Sequence, residues 1–225
     1  MTSALAQAVA QAFAGQGPLA QAGTHFRPRA GQVAMAQAVA QAVQEGGALV
    51  AEAGTGVGKT FAYLVPALLS GQRLLVSTAT KALQDQLFLR DLPRVQAALG
   101  VPARAALLKG RSSYLCLERL ERACQGVPGQ LLDPQWLRAL ARVQQWARGT
   151  RSGDLDELPG LDAASPVLPL ITSTRDNCLG AACPHASACH VNRARAEALA
   201  ADVVVVNHHL FFADVAVRES GMAEL

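Results

Sequence analysis

The stretch AGTGVGKT at residues 53–60 constrains this chain more than any other feature. It follows a short apolar run, ALVAE, and opens into a second, TFAYLVPALL. Strand, glycine-rich turn and helix, in that order, is the context in which such a turn binds phosphate. Gly54, Gly56 and Gly58 can take backbone angles that aim successive N–H groups inward, and the helix start adds its positive dipole end. Ala53, Gly54, Thr55, Gly56, Val57, Gly58, Lys59 and Thr60 are therefore the candidate nucleotide cradle. Lys59 would bridge the β- and γ-phosphates of ATP, and Thr60 would ligate Mg²⁺. Ala53 replaces the first glycine of the G-x-x-x-x-G-K-[ST] pattern, at a φ that alanine tolerates. A glycine-rich turn without a ligand is the alternative reading.

Around this loop the apolar runs alternate in type. A helix over about 32–44, the strand ALVAE, the helix after the loop, the strand RLLVSTAT and the helix KALQDQLFLRDL predict an α/β fold with a parallel sheet. The pattern changes after residue 103. Residues 104–148 read as mostly helical, with little strand signal. Residues 149–169 hold Gly, Pro, Ser and the acids Asp154, Asp156, Glu157 and Asp162, and read as a surface loop. After a helix, VVVVN reads as a fully apolar strand returning to the sheet. The expected division is 1–103 for the first part of the sheet domain, 104–195 for an insertion, and 196–225 for the return.

Formal net charge is +3, so composition does not announce a nucleic-acid binder. No apolar run reaches the roughly 18 residues that a membrane span needs. The N-terminus lacks a basic segment, and Leu5, Val9 and Phe13 repeat at helical spacing, so it reads as an amphipathic helix rather than a signal peptide. A cytoplasmic protein without a membrane partner is expected. Five cysteines in such a compartment suggest a metal site with one spare thiol rather than disulfides.

The candidate ligands are Cys116, in KGRSSYLC, and Cys178, Cys183 and Cys189, about sixty residues further on. Zinc ribbons and fingers favour C-x₂-C pairs, and this segment has none. One distant cysteine plus three close ones is a common way to hold a cubane cluster. Spacing alone leaves zinc and cluster open. Cys124 shares a predicted helix with Cys116 and reads as a buried structural cysteine, and His190 as a surface histidine.

FRPRAGQ, AGTGVGKT, VSTATKALQDQL, KGRSSYLC, the C-x₄-C-x₅-C run and VVVVNHHLF occur here in one order. That order resembles the N-terminal part of the DinG- and XPD-like iron–sulfur helicases. TSTRDNC and VVVVNHHLFFAD look nearest to the YoaA branch. The resemblance implies a superfamily 2 motor with RecA-like domains, a mainly helical [4Fe–4S] domain inserted in the first, and 5′→3′ movement on single-stranded or forked DNA, in repair or replication. By match, Lys59 and Thr60 hold Mg²⁺–ATP, and Gln32 reads adenine. Cys116, Cys178, Cys183 and Cys189 ligate the cluster. Thr78, Thr80 and Gln86 lie along the DNA backbone, and Lys109, Arg111 and Tyr114 guide the strand. The D-E-A-H box of the family does not occur here, and Asn207 ends a strand that imitates a Walker B motif. The chain therefore reads as a fragment of a longer helicase. A nucleotide-binding, metal-cluster regulatory module without motor activity is the alternative.

Overall fold

The computed structural model describes residues 3–23, 26–126, 134–162 and 164–219. In chain order the elements are α1 (Ala4–Ala12), α2 (Pro18–Ala22), α3 (Ala30–Glu45), α4 (Lys59–Leu69), β1 (Leu74–Thr78), α5 (Lys81–Gln86), α6 (Leu92–Leu99) and β2 (Ala105–Leu107). They continue with α7 (Leu117–Gln125), α8 (Pro134–Ala147), α9 (Leu168–Ile171), α10 (His190–Ala200), β3 (Val203–Asn207) and α11 (His208–Glu219). The chain divides into two compact units: Met1–Leu107 with Ala200–Leu225, and Leu108–Leu199.

The first unit is built on a three-stranded parallel sheet in the order β1-β3-β2. Val205 pairs with Val76 on one side and Leu107 on the other. Strands of a parallel sheet are ordinarily covered on both faces and so read as continuous apolar runs. Val203, Val204, Val205 and Val206 are accordingly all buried. The strand ends at Asn207, whose Oδ1 accepts the Leu210 N–H at 2.8 Å and so caps α11.

Two expectations fail around this sheet. ALVAE does not form a strand, and Val50 is 97% exposed. Among the described residues no strand pairs with it, and an extended segment without a ladder partner is not held as a strand. Conversely β2 lies inside the stretch read as helical. Ala105–Leu107 has little strand propensity of its own, and pairing with the β3 valines supplies the ladder.

Helices α3 and α4 pack through Ala36, Ala40 and Ala62, each 0% exposed. Alanine is both the best helix former and small enough for close helix approach. From α4, Leu64, Val65 and Leu68 join Val76, Val203 and Val205 in one core. Burying each of these is worth about 1.5–3 kcal/mol. The predicted helix after β1 is continuous but widens between α5 and α6 into a π-helical turn, Leu87–Asp91.

The second unit has its own core: Leu115, Leu120, Leu140, Val143, Leu155, Leu158, Val167 and Ile171. The stretch 149–169 is therefore more than a surface loop. Its leucines alternate with acids, and a short turn at Leu155–Glu157, capped by the Asp154 side chain, directs the leucines inward. Cys124, expected to be buried, is exposed in the last turn of α7, beyond Leu120 and Ala123, which pack on the core. Among the described residues no helix is long and apolar enough to cross a membrane.

Candidate nucleotide and cysteine sites

In the first unit the segment 53–58 leads irregularly into α4, of which Lys59 and Thr60 are the first residues. Gly56 and Gly58 have φ of 79° and 90°, a region that favours glycine. A Cβ on Gly58 would lie 2.2 Å from Gln32 Nε2. Gln32 is 5% exposed, and its Nε2 donates to the Gly58 carbonyl at 3.0 Å. The residue matched to adenine reading thus braces the loop. Lys59 is exposed and curls back, its Nζ donating to the Ala53 and Gly54 carbonyls at 2.8 and 2.9 Å. An ammonium held on two neutral carbonyls can exchange them for phosphate oxygens, which are stronger partners.

Tyr63 follows Thr60 by three residues on α4. Burial pushes the Tyr63 phenol up, the Thr60 side chain opposes it, and the Asp91 carboxylate adds to the rise. Sequence reasoning alone does not single out Tyr63 or Asp91. The spacing of Tyr63 three residues after Thr60 on a helix is the available signal.

The residues matched to DNA contact fall into two groups. Thr78, Thr80 and Gln86 follow the end of β1. Thr78 Oγ1 donates to the Thr80 carbonyl at 3.2 Å, Thr80 Oγ1 caps α5, and Gln86 Nε2 donates to Asp91 Oδ2 at 3.1 Å. Thr80 and Gln86 are exposed. Nearby, Ser77 Oγ and His208 Nδ1 lie 2.7 Å apart and tie β1 to α11.

Lys109, Arg111 and Tyr114 lie in the second unit. The Lys109 side chain is 3% exposed and ion-paired with Asp154 at 2.7 Å and Asp156 at 2.9 Å. Burial alone would lower its pKa, but the bonds to Asp154 and Asp156 outweigh that and hold it above the usual lysine range. Tyr114 is 4% exposed, and its hydroxyl accepts the Lys109 backbone N–H. A side chain buried in such a network cannot reach a DNA strand without breaking it. Arg111 is half-buried and turned inward, its Nη1 donating to Cys178 Sγ at 3.0 Å.

Cys116, Cys178, Cys183 and Cys189 line one cavity of about 320 Å³. All four are free and half-buried. Cys116 precedes α7, and its N–H donates to the Ile171 carbonyl at 2.8 Å. The other three lie on a segment of short 3₁₀ turns, Gly180–Ala182 and Ala186–Ala188, too tight for a helix to hide the thiols. Arg195 of α10 lines the same cavity. Burial lowers its pKa, as does Arg111, while Cys178 and Cys189 oppose the shift. Two guanidinium groups thus face a set of thiols, a charge balance suited to thiolates. His185 also lines the cavity, and its Nε2 lies 2.8 Å from Glu121 Oε2 and 3.9 Å from Glu118 Oε2. His190, expected on the surface, is 5% exposed and packs on Gly153, where a Cβ would lie 2.2 Å from its ring.

The fold is thus a parallel α/β unit with a phosphate-loop motif at a helix start, accompanied by a cysteine-bearing helical unit. A DEAD/DEAH box helicase family profile matches residues 34–145. Similarity to individual proteins extends further. The chain is 53% identical over 218 residues to the ATP-dependent DNA helicase YoaA of Haemophilus influenzae, covering 96% of this chain and 34% of that protein. It is 52% identical over 213 residues to YoaA of Escherichia coli, covering 95% and 33%. To the ATP-dependent helicase DinG of Mycobacterium tuberculosis it is 44% identical over 215 residues, covering 86% and 32%. The chain spans about a third of the length of these relatives. It belongs to the DEAD/DEAH box helicase family.

Proposed function

We propose that this chain is the nucleotide-binding and iron–sulfur portion of a cytoplasmic ATP-dependent DNA helicase, which moves 5′→3′ on single-stranded DNA and unwinds forked duplex in repair or replication. The observation that carries this reading is the phosphate loop: two glycines at positive φ open α4, with Lys59 and Thr60 as its first residues. ATP would take Lys59 from its two carbonyls, and Thr60 would present its hydroxyl to Mg²⁺. DNA would run past Thr78, Thr80 and Gln86, whose hydroxyls and amide suit sequence-independent backbone contact.

A [4Fe–4S] cluster is supported by the donor set. Four thiols round one cavity, with two guanidinium groups among them, match the ligands and the charge such a cluster needs. Mononuclear zinc is a poorer match. Zinc–sulfur bonds of about 2.3 Å place tetrahedral thiolates about 3.8 Å apart. Among the described residues, the group of three potential ligands within 4.8 Å of one another is Glu118, Glu121 and His185, and no such group includes a cysteine. When bound, the cluster would supply a covalent cross-link between Cys116 and the 178–189 segment.

The test is unwinding of forked duplexes with 5′ or 3′ single-stranded tails by the intact protein. Unwinding that requires ATP and a 5′ tail is the expected result. Failure with either tail, by folded protein carrying iron and sulfide, would overturn the motor and favour the regulatory-module reading.

A further inference from the structure

Three metal-binding side chains meet in the second unit that the proposed function does not use: Glu118, Glu121 and His185. The two glutamates stand three residues apart on α7, a spacing that puts both on one face of the helix. His185 comes from the cysteine segment, 64 residues beyond Glu121, just before the turn Ala186–Ala188. Helix periodicity pairs the carboxylates, and the fold alone brings the imidazole to them.

His185 Nε2 lies 2.8 Å from Glu121 Oε2 and 3.9 Å from Glu118 Oε2. One ligand atom from each residue lies within 4.8 Å of the other two. The remaining carboxylate oxygens are held by neighbours four residues further along α7. Arg122 Nε donates to Glu118 Oε1 at 2.6 Å, and Gln125 Nε2 to Glu121 Oε1 at 3.4 Å. Each carboxylate thus has one oxygen fixed within the helix and the other turned toward the imidazole. Outer hydrogen-bonding partners orient the ligands of a metal in this way. Glu118 is 13% exposed and Glu121 54%, so the group is walled on one side and open to water on the other.

The donor set decides which cation suits it. Mg²⁺ and Ca²⁺ take oxygen ligands, whereas an imidazole nitrogen beside carboxylates suits a borderline transition-metal ion. Zn²⁺ with nitrogen and oxygen ligands at about 2.1 Å sets neighbouring ligands about 3.4 Å apart, and the separations of 2.8 and 3.9 Å fall on either side of that value. The geometry points to a Zn²⁺ site made by His185 Nε2, Glu121 Oε2 and Glu118 Oε2, with water completing the shell on the Glu121 side. None of the four cysteines is a ligand, so this ion is separate from the proposed cluster. It pins α7 to the cysteine segment a second time, two residues after Cys183.

Equilibrium dialysis against Zn²⁺ in excess Mg²⁺ tests the site, with intact protein purified anaerobically and its iron and sulfide in place. One zinc per chain is expected in the unaltered protein. Glu121→Gln alters an exposed side chain at constant shape, and His185→Ala removes the nitrogen. Each should weaken zinc binding at least about tenfold, a loss that even an outer partner of a metal ligand brings, and Glu118→Gln should do the same. Cys124→Ser changes the exposed thiol of the same helix and should bind zinc as the unaltered protein does. Iron and sulfide should stay at full content in every variant, which separates loss of the site from loss of the fold. If His185→Ala loses iron, Glu121→Gln decides alone. Absence of zinc from unaltered protein carrying iron and sulfide overturns the site. Zinc held equally well with and without His185 and Glu121 overturns it too, because other groups then bind the ion. Should the thiols take zinc in place of a cluster, two zinc ions per chain in unaltered protein and one in His185→Ala are expected, so the two proposals fail separately.

Discussion

Lys59 and Lys109 carry the same charge in opposite settings, and burial decides what each can do. Lys59 is exposed on two carbonyls that it can leave at small cost. Its proposed bonds to phosphate are charge-assisted, worth about 1.5–3 kcal/mol. Lys59→Ala is therefore expected to weaken ATP binding roughly 10- to 100-fold, read by calorimetry, with the melting temperature nearly unchanged. Lys109 is enclosed, and two carboxylates depend on it. Lys109→Met leaves Asp154 buried without its cation, which should destabilise the second unit by about 3 kcal/mol. Adding Asp154→Asn should restore part of that loss, and denaturant melts of the single and double variants check it. Because its pKa is raised, the Lys109 contribution is fully present below the unfolded lysine value of about 10.4 and fades only above it. A loss of second-unit stability between pH 7 and 9 in unaltered protein, absent from Lys109→Met, would contradict this assignment.

At the level of elements, the junction of β2 and β3 is held by Asp202. Its Oδ2 accepts the Arg104 backbone N–H at 2.8 Å, and this bond leads the causes that hold its carboxyl below the usual range. A depressed carboxyl contributes stability above the unfolded value of about 3.9, and that contribution is lost as pH falls through the folded value. Asp202→Asn should therefore make acid unfolding below about pH 4 less steep, measured by circular dichroism against the unaltered protein. A second element, the phosphate loop, depends on Gly58. Gly58→Ala forces a side chain onto a φ of 90° and into Gln32, and should abolish nucleotide binding while the sheet stays folded. The loop, α4, β1 and β3 were legible because their signals are local: glycine spacing, a strand-length apolar run, a helix-length one. The illegible features depend on distant partners. ALVAE has the composition of a strand but no ladder partner among the described residues, and Ala105–Leu107 looks like nothing until the β3 valines pair with it. Lys109 sits in a motif that suggests DNA, and its acids lie some 45 residues away in a stretch that composition marks as loop. Asp91 escapes a sequence reading because a π-turn leaves no trace in apolar periodicity.

For the whole molecule, the proposed cluster matters as a closure of chain. Cys116 lies about sixty residues before the other three ligands, and the enclosed segment includes α8, the Leu155–Glu157 turn and α9. Joining the ends of so long a loop removes entropy from the unfolded chain, and a site that does not exist there turns binding energy into folding energy. His185, with Nε2 at 2.8 Å from Glu121 Oε2 and lying between Cys183 and Cys189, ties the same ends together without metal, but at an exposed position worth little by comparison. Cys116→Ser, Cys178→Ser, Cys183→Ser and Cys189→Ser should each lose iron and sulfide and loosen the second unit in hydrogen exchange. The sheet unit has a separate core and should keep its protection and its ATP binding. Cys124 is exposed on α7 and does not line the cavity, so Cys124→Ser should retain full iron. Anaerobic purification followed by iron, sulfide and zinc analysis decides the matter. Stoichiometric zinc without sulfide in the unaltered protein would remove the cluster from the proposed function. Iron retained in Cys116→Ser would mean that the long loop is not closed by metal, and the second unit would then owe its order to its leucine core and the Lys109 network alone.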